Sequence, residues 1–422
     1  MPTLKNRDLD VNWHPYTQMK TENEIIPIVK GEGAYIFDEN NKKYIDAVSS
    51  WWVTLHGHSH PYIAKKMHEQ LLTLEQVIFA GFTHRPAIEL SERLLAILPS
   101  NQKKVFYSDN GSTAIEVALK MCMQFHYNEK ESRKKILAFK NSYHGDTFGA
   151  MSVSGRGVWT DPFKDRLFEV IFIDVPNVDN LKSIQEQINS YENDIACFIY
   201  EPLVQGAAGM LMHEAKYLSE LMKFCRQKEI ILIQDEIFVG FGRTGKLFAA
   251  NHLTEKADIM CFSKGLTGGT MPLGLTTCTQ IIYDSFYSDD MNKALYHGHS
   301  FTASPLACTA ALASLDLLLK KTTQNNISRI VSQHKEFYNK LKFHRKVKDV
   351  RQCGTILALE WNTNEETSYF SSMHKKLYPY FLEKGILLRP LGNIIYLVPP
   401  YCISKEDLEY IYQTILIALD EL

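Results

Sequence analysis

"IILIQDEIFVGFGRTGKL" (230–247) and "ADIMCFSKGLTGG" (257–269) share one pattern: a short apolar run ends on a polar residue and a glycine-rich turn follows. The first run ends on Asp235, the second on Ser263 and Lys264. Such runs bounded by turn residues read as strands buried on both faces, the strands of a parallel sheet covered by helices. An acid or an ammonium at the end of such a strand needs a partner or a ligand.

The same pattern extends outward. "KVFYSD" (104–109), "KILAFK" (135–140) and "DIACFIYEPL" (194–203) read as further strands. "AIELSERLLAIL" (87–98), "STAIEVALKMCMQFHY" (112–127) and "SPLACTAALASLDLLLKK" (304–321) carry helical spacing. This alternation predicts an α/β fold with a mainly parallel sheet, and ligands gather at the carboxyl ends of such strands. The first fifty residues read as strands, with a hairpin in "GAYIFDENNKKYIDAV" (33–48). After a polar stretch at 322–326, the end of the chain mixes helices with strands such as "GTILALEW" and "NIIYLVPPY". The expected division is a large domain over 49–328 and a smaller α+β domain built from 1–48 and 329–422.

Composition bounds the function. The chain has 422 residues, 45% apolar and 22% charged, with 46 basic against 48 acidic side chains. This balance offers nucleic acid no general basic surface. The opening residues lack the apolar core of a secretory signal, and no stretch is long and apolar enough to predict a membrane span. Eight cysteines without a Cys-x-x-Cys pair read as reduced residues of a cytoplasmic protein.

Four polar groups fall at strand ends. Asn110-Gly111-Ser112-Thr113 lies between a strand and a helix, where Gly111 allows close approach and free N–H groups suit an anion. Thr113 and Glu116 read as a capping box. Tyr143, in Tyr-His-Gly, brings an aromatic face. Asp235 and Lys264 complete the set. A phosphate cradle, an aromatic face, a buried acid and a lysine have one economical explanation, pyridoxal phosphate, with Lys264 as its Schiff-base lysine. Two other motifs mislead. "GFGRTGKL" (240–247) lacks the Ser or Thr that a nucleotide-binding loop needs at Leu247. "HGHSH" (56–60) has no matching Cys or carboxylate cluster, so no metal is expected.

With these residues in place, the chain resembles the class III aminotransferases of fold type I. The likeness rests on "YHGDTFGAMSV", "DEIFVGFGRTGKLFA", "KGLTGGTMPL" and "SPLACTAA". "WHPYTQM", "SSWWVTLHGHSHP" and "LRPLGNIIYLVPPY" point to the branch that aminates 8-amino-7-oxononanoate in biotin synthesis. The resemblance implies that Asp235 pairs with the cofactor's ring nitrogen, Tyr143 and Ile237 cover its two faces, and Gly111 and Ser112 bind phosphate. Ser300 binds the same phosphate from the partner of a homodimer; relatives usually carry threonine there. By the same resemblance Tyr16, Trp51, Trp52 and Gly298 should line the substrate pocket, and Arg389 should hold the acceptor's carboxylate. Arg243 and Asp146 match pocket positions. S-adenosylmethionine is the implied donor, lysine its alternative. An aminotransferase for another ω-amino acid would share every cofactor residue, as would a non-catalytic protein that binds the cofactor.

Overall fold

The computed structural model describes residues 3–21, 25–191, 193–363, 367 and 371–422. Seven strands form the central sheet: β1 (Gln102–Ser108), β2 (Lys135–Phe139), β3 (Val170–Ile173), β4 (Ile195–Tyr200), β5 (Ile231–Asp235), β6 (Ile259–Phe262) and β7 (Gly274–Thr279). Their order is β1-β7-β6-β5-β4-β2-β3. The run from β6 through β5, β4 and β2 to β3 is parallel, while β7 is antiparallel to both β6 and β1. The return from Phe262 to Gly274 holds no covering helix, and a short return of this kind can only reverse the strand. The sheet is thus mainly parallel, as the alternation of strands and helices predicts, and reversed at one strand.

Period-two burial fixes the strands. Ile136, Ala138, Cys197, Ile199, Ile231, Ile233, Ile259 and Cys261 pack on one face under the helix α1 (Gly111–Asn128). Leu137, Phe139, Phe198, Tyr200, Leu232, Met260 and Phe262 pack on the other. Successive side chains point to opposite faces and both faces are covered, so the strands read as unbroken apolar runs.

Outside this sheet, strands 28–32, 35–38 and 43–46 form a meander, and Ile386–Leu387 adds in parallel to the last of them. Strands 347–353, 356–361 and 394–397 form an antiparallel sheet. The helix α2 (Lys321–Leu341) runs unbroken through the polar stretch 322–326 and through the expected division at 328–329. The opening residues correct the strand expectation, because Leu4–Val11 is a helix capped by Thr3. Among the described residues, no helix is long and apolar enough to cross a membrane.

Candidate active site

The carboxyl ends of β1, β2, β4, β5 and β6 meet around a cavity of about 410 Å³. Adjacent parallel strands set its floor. Asp235 is in register with Cys261, so Lys264 follows just beyond the same edge. Lys264 takes φ 46°, a left-handed conformation for a non-glycine residue, and such strain gathers at functional sites. Its Nζ lies 4.5 Å from the Trp52 ring centroid and 5.6 Å from that of Phe238. Desolvation brings its pKa down to about 8, against the opposing pull of Asp235 and Glu201.

Asp235 is buried. Its Oδ1 accepts from the Ile237 N–H at 2.9 Å, and its Oδ2 accepts from His144 Nδ1 at 2.7 Å. The other ring nitrogen, His144 Nε2, has no partner among the described residues, nor do Trp52 Nε1 and Thr147 Oγ1. All three residues line the cavity.

The turn from β1 into α1 is set by Asn110, which corrects the capping expectation. The Asn110 side chain accepts from Thr113 N, and Thr113 Oγ1 accepts from Asn110 N. The cap therefore lies three residues before Thr113, which opens Gly111 and Ser112 to the cavity. Glu116 instead accepts from the Gly149 and Ala150 N–H groups. A Cβ on Gly145 would come 2.1 Å from Ser112 Oγ, and one on Gly111 would come 3.1 Å from Ile237 Cγ2. Side chains at either position would crowd this corner of the cavity.

Tyr143 lines the cavity, and its N–H donates to Glu201 Oε2 at 3.0 Å. The hydroxyls of Tyr16 and Tyr143 both donate to Asp146 Oδ2, at 2.6 and 3.0 Å. Desolvation and this carboxylate hold both phenols protonated, well above the usual tyrosine range. The Tyr16 ring meets Trp51 edge-on at 5.5 Å, and the Arg389 guanidinium stands 4.7 Å from the Trp51 ring. Tyr16, Trp51 and Arg389 do not line this cavity but form a contact chain joined to its lining residues Tyr143 and Asp146 through the Tyr16 hydroxyl. Ser49, Ser50 and Trp52 all take positive φ, an unusual run in "SSWW".

Three expected residues lie elsewhere. Arg243 is buried behind the residues that line the cavity, close enough for its charge to act on Lys264, with its Nη1 donating to Pro399 O at 2.8 Å and its guanidinium 5.1 Å from the Tyr401 ring. Gly298 and Ser300 sit on an exposed turn outside their own chain's cavity, where Ser300 O accepts from Gln76 Nε2 at 2.7 Å. The "HGHSH" histidines take separate partners: His56 Ser314, His58 Asp46, and His60 the Tyr62 N–H.

Sequence reasoning passed over His144, Glu201 and Phe238, all of which line the cavity. Glu201 closes the apolar run of β4 just as Asp235 closes β5, so the same signal could have found it. Its oxygens accept from the Tyr143 and Gly206 N–H groups, and desolvation raises its pKa to about 7.

Residues 16–419 match the family model for class III aminotransferases. The adenosylmethionine-8-amino-7-oxononanoate aminotransferase of Synechococcus elongatus is 42% identical, with 97% of this chain and 98% of the relative covered. The enzyme of the same name from Staphylococcus aureus is 38% identical, covering 96% and 95%. The crystal structure of the Methanocaldococcus jannaschii enzyme of that name superposes with a TM-score of 0.95 at 37% identity, covering 99% and 98%. An omega transaminase from Pseudomonas jessenii in complex with PMP gives 0.92 at 25% identity, covering 100% and 98%.

Proposed function

The chain belongs to the class III aminotransferases, and from that premise we propose that it transfers an amine to 8-amino-7-oxononanoate, forming 7,8-diaminononanoate for biotin synthesis, with S-adenosylmethionine as donor. It is a transaminase that uses pyridoxal phosphate, a group that supplies, when bound, an aldehyde carbon and an electron-accepting ring. The residues present fit that group: a buried carboxylate, a desolvated amine, an open helix N-terminus and unpartnered polar atoms face one cavity.

Each residue then has a task. Lys264 Nζ would hold the cofactor's aldehyde carbon and, as a free neutral amine, would move a proton between the substrate carbon and that carbon, one way for the donor and the reverse way for the acceptor. Asp235, held by His144 and the Ile237 N–H, would keep a proton on the ring nitrogen. Tyr143 and Ile237 would confine the ring, while the N–H groups at Gly111 and Ser112 would hold the phosphate. Donor and acceptor use the cavity in turn. Arg389 grips the acceptor's carboxylate with two parallel hydrogen bonds, and Trp51, Trp52 and Tyr16 flank its apolar chain.

A homodimer with shared sites completes this reading. The Gln76–Ser300 hydrogen bond joins two segments rich in exposed apolar side chains, Leu72, Ile78 and Phe82 in one and Tyr296 and Phe301 in the other. Monomers rarely leave such surface uncovered. Ser300 on this face would complete the partner's phosphate site. Eight free cysteines, six of them buried, suit the cytoplasm.

The observation that carries the reading is that Asp235 and Lys264 end adjacent strands at one cavity, to whose lining residue Asp146 the contact chain Arg389, Trp51 and Tyr16 leads. Incubation with each candidate donor and the keto acid, followed by detection of the diamine, tests it.

A further inference from the structure

Residues 3–21 include no buried side chain. The helix Leu4–Val11 buries nothing, and the hydrogen bonds of His14, Thr17 and Thr21 stay within the segment. Tyr16 joins the segment to the body of the protein. Its hydroxyl reaches Asp146, and its ring meets two indoles edge-on, Trp51 at 5.5 Å and Trp159 at 5.4 Å. Tyr16 holds φ 52°, a conformation that a bulky residue keeps only when its surroundings enforce it.

Trp159 is not part of the cavity wall. It sits on a turn fixed at both ends. Gly157 N donates to Thr160 Oγ1 at 2.9 Å, and Thr160 N donates to Gly157 O at 2.8 Å. Behind it, Arg156 Nη1 donates to Ser152 O and Ser154 O, at 2.8 and 2.9 Å. A hydrogen-bonded turn therefore presents a half-exposed indole to Tyr16, which ties the N-terminal segment to Asp146.

We propose that Trp159 is a positioning residue for the acceptor. By closing on Tyr16, it holds residues 12–21 as a strap across the pocket mouth and keeps the Tyr16 hydroxyl on Asp146. This rests on the reading above, in which a long-chain keto acid threads past Tyr16 to reach Lys264. Trp159 acts through Tyr16 and touches neither cofactor nor reacting atoms. Its effect falls on acceptor binding, while the donor half-reaction and cofactor affinity keep their wild-type values.

The test uses the holoenzyme and two readouts. An edge-on aromatic contact of this kind corresponds to roughly a three- to tenfold change in an equilibrium. Trp159→Ala should raise KM for 8-amino-7-oxononanoate by about that factor at nearly constant kcat, and Trp159→Phe should restore most of the loss. Trypsin should cleave after Lys20 faster in Trp159→Ala by a similar factor, and at the wild-type rate in Trp159→Phe. Should the alanine variant fold poorly, Trp159→Leu serves in both assays. A raised KM with unchanged cleavage overturns the proposal, since Trp159 would then act without the strap. Faster cleavage with unchanged KM overturns it too, since the strap would not govern the acceptor. If the wild-type enzyme does not aminate the keto acid, the functional reading fails, and the cleavage rates alone still judge whether Trp159 holds the strap.

Discussion

His144 Nδ1 stands 2.7 Å from Asp235 Oδ2, and both side chains are buried at the carboxyl edge of the sheet. The carboxylate receives one side-chain and one backbone donor, and its remaining lone pairs are free for a cationic ring nitrogen. His144→Ala would leave Asp235 with the Ile237 N–H alone. Losing a buried partner of a charged group costs about 1–3 kcal/mol, or roughly five- to 150-fold. Cofactor affinity should fall within that range, measured by titrating apoenzyme and following absorbance. An unchanged Kd would mean that Asp235 is held without His144.

Lys264 should capture the cofactor with a pH dependence set by its enclosure. Only the neutral amine attacks a carbonyl, and desolvation places its pKa at about 8. As pH rises through 8 the ammonium is lost, so the capture rate should climb and level off above that value. A free lysine would delay the rise to near pH 10.4. Stopped-flow mixing of apoenzyme with cofactor reads the midpoint, and a midpoint near 10 would contradict the assignment. Borohydride should then fix the cofactor on the peptide containing Lys264, and Lys264→Ala should bind cofactor without transferring an amine.

Much of this site was legible because apolar runs advertise their polar ends. Asp235 and Lys264 stood out for that reason, and Glu201 carried the same mark. His144 did not, since its partner lies far along the chain and only the fold brings them together. Strand β7 was hidden by its threonines. "GLTTCT" looks polar, but Thr276 Oγ1 donates to Ala114 O at 2.8 Å and Thr277 Oγ1 to Gln102 Oε1 at 2.6 Å, so both hydroxyls are satisfied inside the core. The cap at Asn110 was missed because Thr113 plays the second part of a box whose first member lies upstream.

Arg389 should separate the two half-reactions. Its guanidinium rests 4.7 Å from the Trp51 ring, and it makes no ion pair among the described residues. Removing one partner of a desolvated charge pair typically costs about 2–5 kcal/mol, roughly thirtyfold or more. Arg389→Ala should lower kcat/KM for the keto acid by that factor in single-turnover mixing with pyridoxamine-form enzyme. Arg389→Lys should recover little, because an ammonium cannot make the paired contact. If the donor half-reaction falls equally, Arg389 serves both substrates. If neither falls, the carboxylate anchor lies elsewhere.

Sedimentation should find a dimer, and hybrids should reveal the shared site. Ser300→Tyr chains and Lys264→Ala chains are each expected to be inactive alone. Mixed dimers should regain one working site of two, because one pairing of cradle and lysine is intact. A fully active monomer would refute the shared site.

The most direct measurement follows the product. Purified enzyme is incubated with 8-amino-7-oxononanoate and either S-adenosylmethionine or lysine, and the mixture is resolved by mass spectrometry. The account predicts 7,8-diaminononanoate with S-adenosylmethionine. Product with lysine alone would change the donor and leave the acceptor standing. Consumption of donor amine with no diamine from either mixture, alongside turnover of another ω-amino acid, would contradict the central claim.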